Sequence, residues 1–240
     1  MKRLIIMAVA FAVCVLSKAQ SDSYTMQVCL SGGDVKSYQV SEVDSVVFVE
    51  TDVDSDDTTS SGTTYTSSYV AVDLGLSVKW ATVNIGAESP EDYGDYYAWG
   101  ETETKDSYTT SNSVTYGVKM DDIAGDADYD ASTANWGGSW RMPTYAEMRE
   151  LVVNCTWTWT TENDVNGYLV TGSTGNSIFL PATGYRYGTS LNDTGSFGYY
   201  WSSTPYSDTP YAYCLCFERV SHYMGSDGRY TGLTVRPVSE

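Results

Sequence analysis

Between Cys155 and Val238 the chain repeats one pattern, a short run of β-branched and aromatic residues followed by Gly, Asn or Asp. The runs are "CTWTWTT", "GYLVTG", "SIFLPATGYR", "GYYWSST", "AYCLCFERV" and "GLTVRPV". Runs of about five to seven such residues between turn formers read as strands. Upstream, "YVAVDLGLSVKWATVNIG" alternates and is broken by glycines, Tyr96 to Trp99 reads as an aromatic strand, and residues 102–128 are polar and read as loop. One or two short helices interrupt the strands. The order β, helix, then many β describes an α+β domain with largely antiparallel sheet.

The marked helix lies in "WGGSWRMPTYAEMREL", Trp136 to Leu151. Thr144 and Glu147 form a capping box, in which each side chain bonds the other residue's backbone amide. Pro143 fixes the entry. Tyr145, Met148, Leu151 and Val152 follow helical spacing, so one face is buried. From the capping box alone, Glu147→Ala should cost about 0.5–1 kcal/mol. Trp140, read as core, should cost roughly 3–5 kcal/mol when cut to Ala. Arg141 reads as a half-buried partner of a carboxylate or of carbonyls, in preference to a ligand contact.

The ends have their own logic. Lys2 and Arg3, the apolar run Leu4–Leu16, and Ser17 and Ala19 at −3 and −1 form a signal peptide over residues 1–19. Lipidation at Cys14 is the rival reading. No other stretch is apolar enough to be a transmembrane segment, so the expectation is an exported protein: cell surface, periplasm or secreted. Residues 20–50 read as a small β unit, with alternation at Met26, Val28 and Leu30, then at Tyr38 and Val40, and a third apolar run at Val46–Val49. Residues 51–68 hold almost nothing apolar and read as a flexible acidic Ser/Thr linker. The remaining domain is 69–240. The chain carries 31 acidic against 13 basic residues, a net charge of −18, and loss of residues 1–19 removes only bases. Partners that need phosphate neutralisation, nucleic acid above all, are excluded on that ground.

The blocks "DLGLSVKWATVNIGA", "YYAWGE", "WGGSWRMPTYAEMREL", "CTWTWT", "IFLPATGYR", "GYYWSST" and "GLTVRPV" resemble the signature blocks of the Fibrobacter succinogenes major paralogous domain. That family is abundant in exported proteins of gut Bacteroidetes. It is similar to the formylglycine-generating enzymes and their non-catalytic relatives, and so to the C-type lectin fold. The resemblance covers roughly residues 69–239. It implies a C-type lectin-like domain of two helices and twisted sheets, with ligand bound at an irregular face near the C-terminal third. It implies no catalytic reaction.

Chemistry-bearing constellations are few. His222 is the single histidine, too little for a zinc site and poorly placed for a Ser-His-Asp triad. The formylglycine-generating enzymes hold copper on a cysteine pair. Cys214 and Cys216 are one residue apart, closer than that family's pair, which argues against catalysis. Their side chains share one side of a strand, and a bridge between them needs distortion. A bridge from Cys155 to either is open, as are free thiols. Asp126, Asp128 and Asp130 alternate, with Asp121 and Asp122 nearby, so calcium is a possible cofactor. A solvated acidic loop is the competing reading.

With 21 Tyr against 5 Phe, the chain is rich in aromatic surface with a polar handle, as binding loops are. The expected ligand face is Tyr206, Asp208, Tyr211, Tyr213, His222, Tyr223, Asp227 and Tyr230. If residues 211–219 form a strand, Tyr211, Tyr213, Leu215, Phe217 and Arg219 share one side, and Cys214 and Cys216 the other. An AAC codon varied at its adenines yields Tyr, Ser, Asp, His, Cys, Gly or Arg, the types crowded here. Families resembling this one include targets of diversity-generating retroelements, so a diversified binding face is one origin. The expected function is non-enzymatic binding of a surface glycan or protein. The alternatives are a copper oxidoreductase akin to formylglycine generation and a purely structural surface module.

Overall fold

A computed structural model describes the backbone of residues 25–29 and 35–39, and residues 70–207 and 210–240 in full. The expected signal peptide 1–19, the expected linker 51–68, the run Val46–Val49 and Asp208 lie outside the described residues. The chain divides into two units, Met1–Thr63 and Thr64–Glu240. In the first, β1 (Thr25–Cys29) pairs antiparallel with β2 (Val35–Gln39), Met26 facing Tyr38.

The second unit is mostly β with two short helices, an α+β arrangement of several small antiparallel sheets. Its first sheet is closed by the unit's own two ends. β4 (Lys79–Ala81) lies between β3 (Ala71–Val72) and β13 (Val238–Ser239), with Trp80 opposite Val238. β5 (Thr156–Glu162), β6 (Val165–Thr171) and β7 (Ser177–Pro181) form the second, and β8 (Tyr185–Tyr187) and β9 (Ser190–Asn192) a small hairpin. β10 (Phe197–Pro205), β11 (Tyr211–Glu218) and β12 (Ser221–Gly228) form the third three-stranded sheet, β11 in the middle.

This last sheet separates two cores, because side chains alternate across a strand. Tyr200, Leu215 and Phe217 join Trp80, Met148, Leu151, Tyr168 and Val170 on one side. Trp201, Ala212, Cys214 and Cys216 join Tyr97, Trp99, Met142 and Leu233 on the other. Gly198 is required where the ring of Phe217 covers it, since a Cβ there would sit 2.0 Å from that ring.

Two expected strands are absent as ladders. Tyr96–Trp99 and Gly232–Arg236 make isolated bridges such as Tyr97 to Leu233. Both segments are buried throughout. Tyr97 and Trp99 pack in one cluster and Tyr96 and Ala98 in another, so packing on both sides holds them extended without regular pairing. Residues 102–128 contain no helix or strand.

The helices are α1 (Ala131–Trp136) and α2 (Tyr145–Asn154). The capping box forms: the Glu147 amide donates to Thr144 Oγ1 at 3.3 Å and the Thr144 amide to Glu147 Oε2 at 2.8 Å. Arg141 clasps the same carboxylate with both terminal nitrogens, at 2.6 and 2.8 Å. Burial alone would raise the Glu147 pKa. The Arg141 hydrogen bond and the Thr144 contacts outweigh it, so the net shift is downward. Trp140 is 8% exposed and edge-on to Trp136, 5.2 Å between centroids. The helix entry is tied to β10, where Ser203 N–H donates to the Pro143 carbonyl and Tyr145 N–H to Thr204 Oγ1.

Two fully buried arginines complete the frame. Arg236 donates to Asn84 Oδ1 and to the carbonyls of Ala81, Thr82 and Phe179, and burial pushes its pKa down to about 10. Arg229 lies 4.3 Å over the Trp99 ring and donates to the carbonyls of Tyr211, Thr115 and Val118. Carbonyl dipoles, in place of carboxylates, offset the cost of burying these charges.

Candidate ligand-binding face

Residues paired across an antiparallel sheet share a side, and the register of β10–β11–β12 therefore sorts the expected ligand residues. Tyr211, Tyr213 and His222 belong to the side of Leu215 and Phe217; Tyr223 and Asp227 belong to the side of Cys214 and Cys216. The expected set does not form one face.

On the first side the residues are engaged in packing. Tyr213 lies 4.3 Å from Tyr145 of α2 and 4.9 Å from Tyr206, centroid to centroid. His222 stacks on Trp157 at 4.5 Å and 9° and meets the edge of Tyr168. Burial lowers the His222 pKa, which favours the neutral ring. Tyr211 is 46% exposed, and its carbonyl accepts from Tyr206 N–H and Arg229 Nε.

The other side is different. Tyr199, Cys216 and Tyr223 form one row across the three strands. Tyr199 meets Phe197 and Tyr185 at 6.2 and 5.5 Å. Tyr185 and Tyr187 are alternate residues of β8 and project to one side. Tyr187 meets Tyr230 at 5.9 Å, and Tyr230 meets Tyr116 at 5.4 Å. The result is an aromatic strip in which Tyr116, Tyr187 and Tyr223 are 36%, 57% and 54% exposed. Burial raises the pKa of Tyr199 and Tyr230, and the neighbouring Cys216 followed by burial raises that of Tyr223. Those phenols stay protonated at neutral pH and offer both a donor and an acceptor. Asp227 serves the strip indirectly: Oδ1 accepts from Gly228 N–H and Thr231 Oγ1, fixing the turn that carries Tyr230.

Tyr116, Tyr185, Tyr187 and Tyr199 were missed by the sequence reading, which confined the face to residues 206–230. The Tyr-Arg-Tyr alternation at 185–187, flanked by Gly184 and Gly188, was the available signal.

The acidic cluster is corrected. Asp130 is fully buried as the N-cap of α1. Its Oδ1 accepts from the amides of Ser132 and Thr133, its Oδ2 from those of Gly125 and Met142. Both oxygens are thus engaged, and Asp126 Oδ1 accepts from the Asp128 amide. Among the described residues no three His, Cys, Asp or Glu side chains converge as a metal site.

Of the two readings left open for the cysteines, free thiols are the one found. Cys155, Cys214 and Cys216 are free. Cys155 packs against the core on the Leu215 side, and Cys214 and Cys216 face the other, so the sheet separates them. The Cys214 and Cys216 sulfurs approach to 3.4 Å without bonding. The Cys216 hydrogen bond and burial hold the Cys214 thiol well above its ordinary pKa.

A family model described as a domain of unknown function (DUF8237) matches residues 80–238. The chain belongs to that family. The DUF8237 match begins and ends on Trp80 and Val238, the two residues opposed in the closing sheet, and it contains both helices, the whole aromatic strip and both cores apart from Leu74 and Val78, which precede it. No curated protein and no solved structure matches the chain.

Proposed function

We propose that the protein is an exported, non-enzymatic binder that takes a surface glycan or protein on the aromatic strip. The observation that carries this reading is the strip itself, six tyrosines and Phe197 in successive ring contacts or paired rows with three rings well exposed. Tyrosine rings give large contact area at low entropic cost, and their hydroxyls supply adaptable hydrogen bonds. The protonated phenols of Tyr199, Tyr223 and Tyr230, the protonated thiols of Cys155 and Cys214, and a His222 stacked away in packing are not activated as nucleophile or base.

The resemblance to the major paralogous domain and the C-type lectin fold is kept as part of this proposal. Two short helices, small antiparallel sheets and a rigid Trp-rich frame beside the strip support it. The signal-peptide pattern supports export. The test is an array of glycans and bacterial surface proteins probed with the full chain and with a Tyr187→Ala/Tyr223→Ala/Tyr230→Ala variant of unchanged melting temperature. The reading expects a hit that the triple variant loses. Hits that all survive it, or no hit, overturn the reading, the latter in favour of a structural module.

A further inference from the structure

Beside the strip lies a cleft of about 690 Å³ between the β5–β6 hairpin and the ends of β10 and β11. Its walls include Trp159 and Thr160 of β5, Asn166 of β6, Phe197 of β10, Glu218 of β11 and Arg219 beyond it. The volume is within the range of about 300–1,000 Å³ typical of small-molecule sites. The ligand face expected from the sequence contained none of these residues.

The walls are held in place. The hairpin turns on Asn163 and Asp164, both at positive φ (44° and 66°), the geometry of the tight two-residue turn that suits strand twist. Asn166 ties the two walls together, accepting from Thr161 Oγ1 at 2.9 Å and donating to the Gly195 carbonyl at 3.0 Å. Across the cleft, Gly195 N–H donates to the Ala182 carbonyl and Phe197 N–H to that of Asp193. Trp159 is fixed edge-on to Tyr168 and Phe217, at 5.1 and 6.5 Å. A site prepared in this way loses little entropy when it binds.

The polar groups, by contrast, are free. The Trp159 indole N–H, the Thr160 hydroxyl and the Arg219 guanidinium bond to no side chain or backbone group among the described residues, and Glu218 receives one long bond, from Ser221 Oγ at 3.3 Å. The cleft thus offers the indole ring of Trp159, two unused donor groups, a hydroxyl and a carboxylate acceptor, while the Phe197 ring stacks on Tyr199 on the other side of the sheet. A sugar ring is complementary to that set, with a C–H face for the indole ring and hydroxyls that both donate and accept. Glu218 and Arg219 balance each other in a chain of net charge −18, which disfavours a phosphorylated or polyanionic ligand.

We infer that this cleft is a binding site for a short neutral oligosaccharide, contacted by Trp159, Glu218 and Arg219. The inference does not rest on the tyrosine strip. The test uses the full chain with ¹⁵N-labelled tryptophan, the Trp159 indole resonance being assigned with Trp159→Phe. Neutral gluco-, manno-, xylo- and galacto-oligosaccharides are titrated in turn. At least one should shift that resonance saturably. The affinity should fall at least about tenfold in Glu218→Gln/Arg219→Ala, and by a similar factor in Arg219→Ala alone should the double variant fold poorly. Tyr187→Ala/Tyr223→Ala should leave it unchanged, which separates the cleft from the strip. No shift with any of these saccharides overturns the inference. So does a saccharide affinity indifferent to Glu218 and Arg219.

Discussion

Removing the Glu147 carboxylate should cost far more than the capping box alone suggests. The cap contributes about 1 kcal/mol. In the folded chain the same two oxygens also accept both terminal nitrogens of Arg141, in a pair whose side chains are only 18% and 13% exposed. Hydrogen bonds to charged groups contribute roughly 1.5–3 kcal/mol, discounted here for partial solvent screening. Glu147→Ala also leaves a half-buried guanidinium with only the Met142 carbonyl at 3.3 Å. The expected total is about 2–4 kcal/mol. Glu147→Gln keeps a cap acceptor and loses the ion pair, so it should fall between wild type and Glu147→Ala. The pH dependence has a definite sign. The folded pKa of Glu147 is net depressed, so its contribution is present above the unfolded value and is lost as pH falls through the folded one. Urea melts at neutral and acid pH measure this, with unchanged slope as the check on two-state behaviour. A cost for Glu147→Ala below about 0.5 kcal/mol at neutral pH would refute the reasoning. So would a Glu147–Arg141 double-mutant cycle without coupling.

Trp140→Ala should cost roughly 3–5 kcal/mol in the same melts, as for other buried large aromatics. Asp130→Ala strands four amides and should cost about 3 kcal/mol or more. Burial is the largest influence on the Asp130 carboxyl and raises its folded pKa. Wild-type stability relative to Asp130→Asn should therefore fall as pH rises from the unfolded value through the folded one; a difference that grows with pH would count against this assignment. In native-state thiol labelling followed by mass spectrometry, Cys155 should react well before Cys214 and Cys216, which lie 0% and 6% exposed; equal rates would contradict their burial.

The sequence carried the local features and missed those that need two distant segments. The capping box, the burial of Trp140 and the carboxylate partner of Arg141 all lie within twelve residues, where spacing and residue type suffice. The strand at Tyr211–Glu218 and its alternation were readable for the same reason. Which side of that strand meets water was not, because the middle strand of this sheet has a core against each face. Asp130 looked like one acid among several, since a six-residue helix is too short to show a period. Arg229 and Arg236 were invisible as core residues because arginine is seldom buried without a paired anion. The strip draws on residues 116, 185, 187, 197, 199, 223 and 230, brought together only by the fold.

The two-sided packing of β11 also limits how a binding face here can vary. A scheme that rewrites residues must spare the positions on which the frame depends. Cys214 and Cys216 carry the residue types of varied positions, yet they fill the core beside Trp201 and Ala212. A Cβ added at Gly225 would already sit 2.8 Å from the Cys216 sulfur, so larger side chains at this point overpack. Tyr213, wedged between Tyr145 and Tyr206, is similarly constrained. Tyr211, Tyr223 and Ser226 are exposed and free of that limit. If the face is diversified, the tolerated variation has to lie in this exposed subset, and the cysteines are retained for packing.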